Sequence, residues 1–183
     1  KIILGDWDLK ERLDREILSI KHNVGATTLI LKKTRRYFPL MDSILKAHNL
    51  PLDLKYVAVA ESGLANVTSP AGAAGFWQFM EPTAKEYGLL VNEWVDERLD
   101  VYKSTVAAAN YFHHSASLFQ DWPTRITAYN RGMAGVQNAL EDQKTELFFD
   151  TYLNQESSRY FFRILAYKII LENPADYGFH LTD

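Results

Sequence analysis

The sequence predicts an all-α domain, α-rich α+β at most, with one short β-hairpin allowed near residues 68–79. Three observations predict it. Apolar residues recur at helical spacing, as in Leu9, Leu13, Ile17 and Ile20, whereas the two-residue alternation of a half-buried strand is nowhere sustained. Prolines and glycines punctuate the pattern where helices should begin and end, at Pro39, Pro51, Gly63, Gly88, Pro123, Gly132 and Pro174. The chain of 183 residues, 47% hydrophobic and 13% aromatic, is enough for one well-filled core.

A first helix should start near Asp8. Two more are expected near Val24 to Arg36 and near Leu40 to His48, broken at Pro39. Asn49 is placed to cap the next, with Pro51 in its first turn, where a missing N–H is harmless. Thr83 to Tyr87 reads as a short helix ending at Gly88. Ser104 caps a long one through about Phe119, with Val106, Ala109, Asn110 and His113 on one side. Pro123 opens another that ends at Gly132, which puts Tyr129 and Asn130 in its last turn. A last long helix runs from about Gln155 to Glu172, before Pro174. Neither repeats nor low-complexity linkers interrupt this order, so one α-rich domain is the simplest organisation.

Composition excludes several function classes. A net charge of −3 argues against a nucleic-acid partner, whose footprint should be basic. The absence of cysteine excludes disulfides, thiolate metal sites and a cysteine nucleophile. The adjacent His113 and His114 point apart on a helix and make no two-ligand metal site, so no metal or other cofactor is expected. No apolar run approaches the roughly 20 residues that span a bilayer. The opening Lys1-Ile2-Ile3-Leu4-Gly5 is too short for a signal h-region. Lys32, Lys33, Arg35 and Arg36 read as a solvated basic cluster near a helix end, and Trp7, Trp94 and Trp122 as core or seam residues.

Glu61 stands out because it is charged where the pattern calls for an apolar side chain. Leu54, Val57, Ala58 and Glu61 fall at i, i+3, i+4 and i+7, on one helix face. A carboxylate at the inner end of a buried stripe loses hydration, so its pKa should rise toward neutrality, as a general acid requires. The plain alternative is a last-turn glutamate reaching into solvent as Gly63 ends the helix. Downstream segments favour the acid. Ser69-Pro70-Ala71-Gly72-Ala73-Ala74-Gly75 offers small residues that let a backbone approach a ligand closely. Trp77, Phe79 and Tyr129 offer flat faces for sugar rings, and Gln78 and Asn130 offer paired donors and acceptors. Together these describe a polysaccharide groove.

Four blocks in order make the chain resemble the lytic transglycosylases of the lysozyme-like superfamily, both the membrane-bound type and the catalytic domain of the soluble type. The blocks are Glu61-Ser62; Ser69-Pro70 through Gly75-Phe76-Trp77-Gln78-Phe79-Met80; Ala128-Tyr129-Asn130-Arg131-Gly132; and Glu156-Ser157-Ser158-Arg159-Tyr160. The likeness runs from about Leu50 to Gly178. It departs at the stretch from Glu61 to Ser69, one residue shorter than is common, and at Leu64, where an aromatic is frequent. Arg131 and Ala134 also stand where a small residue and a second glycine are usual.

The resemblance implies a lysozyme-like fold, with residues 50–183 as the catalytic domain and residues 1–49 as a helical extension packed on it. It implies cleavage of the bond between N-acetylmuramic acid and N-acetylglucosamine in peptidoglycan, leaving a 1,6-anhydromuramoyl end. Ordinary glycosidases use two carboxylates; here Glu61 is the single acid and base, and the substrate's N-acetyl group supplies the nucleophile. Of the other carboxylates near the blocks, Glu81 reads as a solvated cap beside Pro82, and Glu86 and Glu156 remain. By resemblance Ser69 holds the acetamido group, Tyr129 supports the developing charge and helps orient Glu61, Gln78 and Met80 line sugar subsites, and Asn130 fixes the turn behind Tyr129. Glu156 and Tyr160 face the groove as a pair. The implied partner is the peptidoglycan glycan strand, met by a monomer in the periplasm or cell envelope. That location would make this chain a mature or trimmed fragment of an exported protein, with room for an anchoring segment outside it. Two rivals stay open: a goose-type lysozyme that hydrolyses peptidoglycan or chitin on the same fold, and an idle glycan-binding domain.

Overall fold

The computed structural model describes residues 5–146 and 148–180, so Lys1 to Leu4 of the opening segment lie outside the described residues. Among the described residues the fold is built from helices joined by loops. Helix α1 (Trp7–His22) begins where the Asp6 carboxylate accepts the Leu9 N–H at 3.1 Å, the usual way to satisfy a first-turn donor. Leu9, Leu13 and Ile20 are buried as the stripe requires, and so is Glu16.

Helix α2 (Val24–Ala47) corrects the expected break, because it runs straight through Pro39. Ile30 and Leu31 before the proline and Met41, Ile44 and Leu45 after it are all buried. Packing that spans both sides outweighs the roughly 3 kcal/mol a helical proline costs. The basic cluster at 32–36 therefore lies mid-helix, not near a helix end. Asn49 does not cap the following helix either. It ends α2 in the left-handed region, at φ 54. Its N–H donates to Lys46 O, and Leu50 N–H donates to Leu45 O at 2.9 Å, the paired bonds of a Schellman end.

After a 3-10 turn (Leu52–Leu54) comes the short α3 (Lys55–Ser62), with Tyr56, Val57, Ala58 and Val59 all buried and Gly63 closing it at φ 59. The following loop pairs Thr68 with Ala74 and Ala74 with Phe79 only as isolated antiparallel bridges. Gly75 is required there: at φ 79, a Cβ would sit 1.8 Å from the Arg98 carbonyl oxygen. Arg98, paired with Asp96 at 2.7 Å, donates to the carbonyls of Gly72 and Phe79 and so holds both ends of the loop.

Helix α4 (Glu81–Glu86) leads through the 3-10 turn Glu97–Leu99 to α5 (Val101–Leu118). Asp100, not Ser104, caps α5, accepting the Lys103 N–H at 2.8 Å; Ser104 is buried one turn in and donates to Asp100 O. Asn110 and His113 lie on its exposed side. Helix α6 (Trp122–Arg131), capped by Asp121, ends at Gly132 as expected. Helix α7 (Met133–Gln143) was not foreseen, although Met133, Val136 and Leu140 share one face and pack with Phe119 and Ala128. Helix α8 (Gln155–Glu172) matches its expected span, with Asn154 accepting the Ser157 N–H at 2.9 Å.

Helix α8 packs against α1, α3 and α6, while α2 packs on α5, so α3 is enclosed by the bundle. Met41, Leu45, Val57, Ala58, Trp77 and Phe112 form the centre of the main core. A second cluster in the α1–α8 seam holds Leu9, Leu13, Ile20, Phe162 and Ile170. Trp7 and Trp94 are corrections: they are 85% and 84% exposed, because neither lies on a face that another element covers. Trp122 does pack against the main core. No helix among the described residues is long and apolar enough to cross a membrane.

Candidate active site

Helix α3 sets the site by ending against the loop. Leu54, Val57 and Ala58 are buried, so the next position on their face, Glu61, is carried inward until the helix stops. Lys33 Nζ donates to Gly63 O at 3.0 Å, placing a cation at that C-terminus. Ser62 Oγ lies 2.8 Å from Phe76 O and accepts the Ala65 N–H, tying the helix end to the loop.

Glu61 opens into a groove of about 900 Å³, and every expected site residue lines it: Glu61 from α3; Ser69, Gln78 and Met80 from the loop; Tyr129 and Asn130 from α6; Glu156 and Tyr160 from α8. The fully buried Tyr160 donates its hydroxyl to Glu61 Oε1. Burial pushes the Glu61 carboxyl up to about 7; the Tyr160 hydrogen bond and then the Arg163 guanidinium hold it lower, and the Glu156 charge adds to the rise. Glu61 can therefore be protonated or ionised near neutral pH, as a group that both gives and takes a proton must be. Burial holds the Tyr160 and Tyr129 phenols well above their ordinary pKa, so both remain donors.

Several expected contacts differ. Tyr129 does not hydrogen-bond Glu61; its hydroxyl donates to Trp77 O at 2.8 Å, and its ring stacks on Phe112 at 5.4 Å. The hydroxyl that reaches Glu61 is that of Tyr160. Trp77 and Phe79 are not open sugar platforms. Both are buried core residues, and the Trp77 indole donates to Thr105 Oγ1 at 2.9 Å. Gln78, at φ 51, spends its amide N–H groups on Val67 O and Gly75 O, so it braces the loop while lining the groove. Ser69 Oγ accepts the Ala73 N–H at 3.0 Å. Asn130 Oδ1 lies 3.4 Å from the Ser157 hydroxyl, a link between α6 and α8. Met80 is exposed on the groove rim, and Glu81 is an exposed partner of Lys85 at 2.6 Å.

Sequence reasoning missed Arg163, Tyr87, Tyr111 and His114, all of which line the groove. Tyr87 Oη lies 2.6 Å from His114 Nδ1 across α4 and α5. Arg163 was legible, since Glu156, Tyr160 and Arg163 fall at i, i+4 and i+7 on one face of α8. Tyr87 and His114 carried no such signal. Among the described residues no three His, Cys, Asp or Glu side chains gather as a metal site needs.

The family profile described as "Transglycosylase SLT domain" matches residues 39–151. The chain is 35% identical over 143 residues to "Membrane-bound lytic murein transglycosylase D" of Escherichia coli (strain K12), which covers 75% of this chain and 32% of that relative, so it spans about a third of the relative's length. Two solved structures share the fold. The 70 kDa soluble lytic transglycosylase of Escherichia coli superposes with a TM-score of 0.63 at 21% identity, over 76% of this chain and 24% of that one. An inactive mutant of the lytic transglycosylase from Pseudomonas aeruginosa does so with a TM-score of 0.58 at 16% identity, over 79% and 25%. With more than half of its length matched by that profile, and with the helical fold and acid-bearing groove described above, the chain belongs to the transglycosylase SLT domain family.

Proposed function

We propose that this chain is the catalytic domain of a peptidoglycan lytic transglycosylase, with residues 50–183 carrying the site and residues 1–49 packed on it as a helical extension. Its substrate is the glycan strand, and its place is the cell envelope. The observation that carries this reading is one glutamic acid, Glu61, held near neutral pKa at a long groove and bound by Tyr160. The relative named as a lytic murein transglycosylase supports the substrate class.

The chemistry needs only one protein carboxyl. Glu61 gives its proton to the glycosidic oxygen, and the bond from that oxygen to C1 of the muramic sugar breaks. The substrate's acetamido oxygen bonds to C1 and forms an oxazolinium ring, as in substrate-assisted glycosidases. Glu61, now a carboxylate, takes the proton from the sugar's O6. That oxygen attacks C1, the oxazolinium ring opens, and a 1,6-anhydro end remains with no water consumed. Ser69 aligns the acetamido group, Gln78 and Met80 shape sugar subsites, and Asn130 and Glu156 hold the walls. Tyr129 supports the developing charge from the side, and Tyr160 keeps Glu61 aimed through both proton transfers.

Mass spectrometry of muropeptides released from purified sacculi tests this. Products one water lighter than hydrolytic ones, absent with Glu61→Gln, are expected. Ordinary reducing ends would make the protein a lysozyme, and no product from either protein would favour a binding domain.

A further inference from the structure

Glu16 is a carboxylate only 2% exposed, in the seam between α1 and α8, and the chemistry above does not use it. Its Oε1 lies 2.5 Å from Arg159 Nε and its Oε2 lies 3.5 Å from Arg163 Nε. The two arginines stand one turn apart on α8 but differ in what else they meet. Arg163 lines the groove that holds Glu61, and Arg159 does not. Glu16 engages Arg163 through the nitrogen nearest its stem, and the terminal nitrogens carry no hydrogen bond to another described residue. Arg12 adds to the same seam, donating to Ser158 O at 2.8 Å and lying over the Phe162 ring. A buried charge is retained at the expense of desolvation, and this one is hydrogen-bonded to Arg159 and ion-paired with the guanidinium of Arg163 at the groove wall.

We propose that Glu16 is a positioning residue for the acid: from α1 it clamps Arg163 so that the guanidinium stands beside Glu61. The inference rests on the reading of Glu61 as the acid. Glu16 lies outside the family match at 39–151, so α1 becomes part of the site's electrostatics and not a passive extension. The charged and titratable groups around Glu61 are Tyr160, Glu156 and Arg163 on α8 and Tyr129 on α6, with Glu86, Tyr87, Tyr111, His114 and Arg131 lining the same groove. Arg163 itself is faced by Glu16 from α1 and neighboured by Arg159 and Tyr167 on α8.

The test follows the Glu61 carboxyl carbon by 13C NMR across pH in the whole chain, assigned by its loss in Glu61→Gln. Arg163→Gln removes a nearby cation, so Glu61 should titrate at higher pH, by roughly half a pH unit for one charge several ångströms away in a solvated groove. Glu16→Gln should move the midpoint the same way by a smaller amount, and the double variant no further than Arg163→Gln alone. Arg159→Gln breaks the same ion cluster and should lower the Tm while leaving the midpoint in place. An unmoved or lowered midpoint in Glu16→Gln, or shifts that add in the double variant, would overturn the proposal. Should Glu16→Gln not fold, Glu16→Asp keeps the charge and shortens the reach, and must still raise the midpoint. The titration needs no substrate, so a protein that cleaves no peptidoglycan would sink the proposed function and leave this test standing.

Discussion

The hydroxyl of Tyr160 donates to the carboxylate of Glu61 across 99 residues of sequence, joining α8 to the end of α3. A donor to the ionised form lowers a carboxyl pKa, while burial raises it, and the two meet at about 7. The position of Glu61 on the pH scale is therefore a property of two helices.

Tyr160→Phe removes the lowering contribution and keeps the ring. A hydrogen bond to a charged group is worth about 1.5–3 kcal/mol, which corresponds to roughly one to two pH units. The Glu61 midpoint should rise, and the alkaline limb of kcat/KM should follow it, with a lower kcat at neutral pH because a weaker acid gives its proton to the glycosidic oxygen less readily. An unchanged limb would remove Tyr160 from this role.

Glu61→Gln should stabilise the protein at neutral and alkaline pH while abolishing cleavage, a loss of at least about 100-fold for a general acid–base. The folded pKa, about 7, lies above the ordinary 4.5. The contribution of Glu61 to stability is thus full below about pH 4.5 and is lost as pH rises through 7. The loss is at most about 3 kcal/mol. Thermal melts should show the variant ahead of wild type at pH 8, with the gap closing toward pH 4.5.

Gly75→Ala should be among the costliest loop substitutions. It combines φ 79 with a Cβ placed 1.8 Å from the Arg98 carbonyl oxygen. Strain of that kind costs about 2–4 kcal/mol, a Tm loss of roughly 5–15 °C at this size. The loop it displaces carries Ser69, Gln78 and Met80, so KM on glycan strands should rise as well, which steady-state kinetics would reveal.

Thr105→Val should remove the acceptor of the buried Trp77 indole N–H. An unsatisfied buried donor costs about 1–3 kcal/mol. Since Trp77 is core and not a sugar platform, urea denaturation should register the loss while oligosaccharide binding stays close to wild type.

The sequence by itself determined the helical class, most helix ends and the inward place of Glu61, for reasons that are local. A stripe such as Leu9, Leu13 and Ile20 buries wherever the helix goes, and Gly132 or Pro174 ends a helix by its own backbone chemistry. Glu61 was legible because one charge interrupted a buried face. Only the tertiary structure decided the rest. Pro39 passes through α2 because buried residues on both sides hold it. Trp77 and Phe79 became core, and Trp7 and Trp94 stayed in solvent, because burial of an aromatic depends on which distant element covers it. The partner of Glu61 proved to be Tyr160 and not Tyr129 for the same reason: Trp77 O claimed the Tyr129 hydroxyl. Helical periodicity states which side chains share a face, but the contact between two faces is set by how all the helices pack at once.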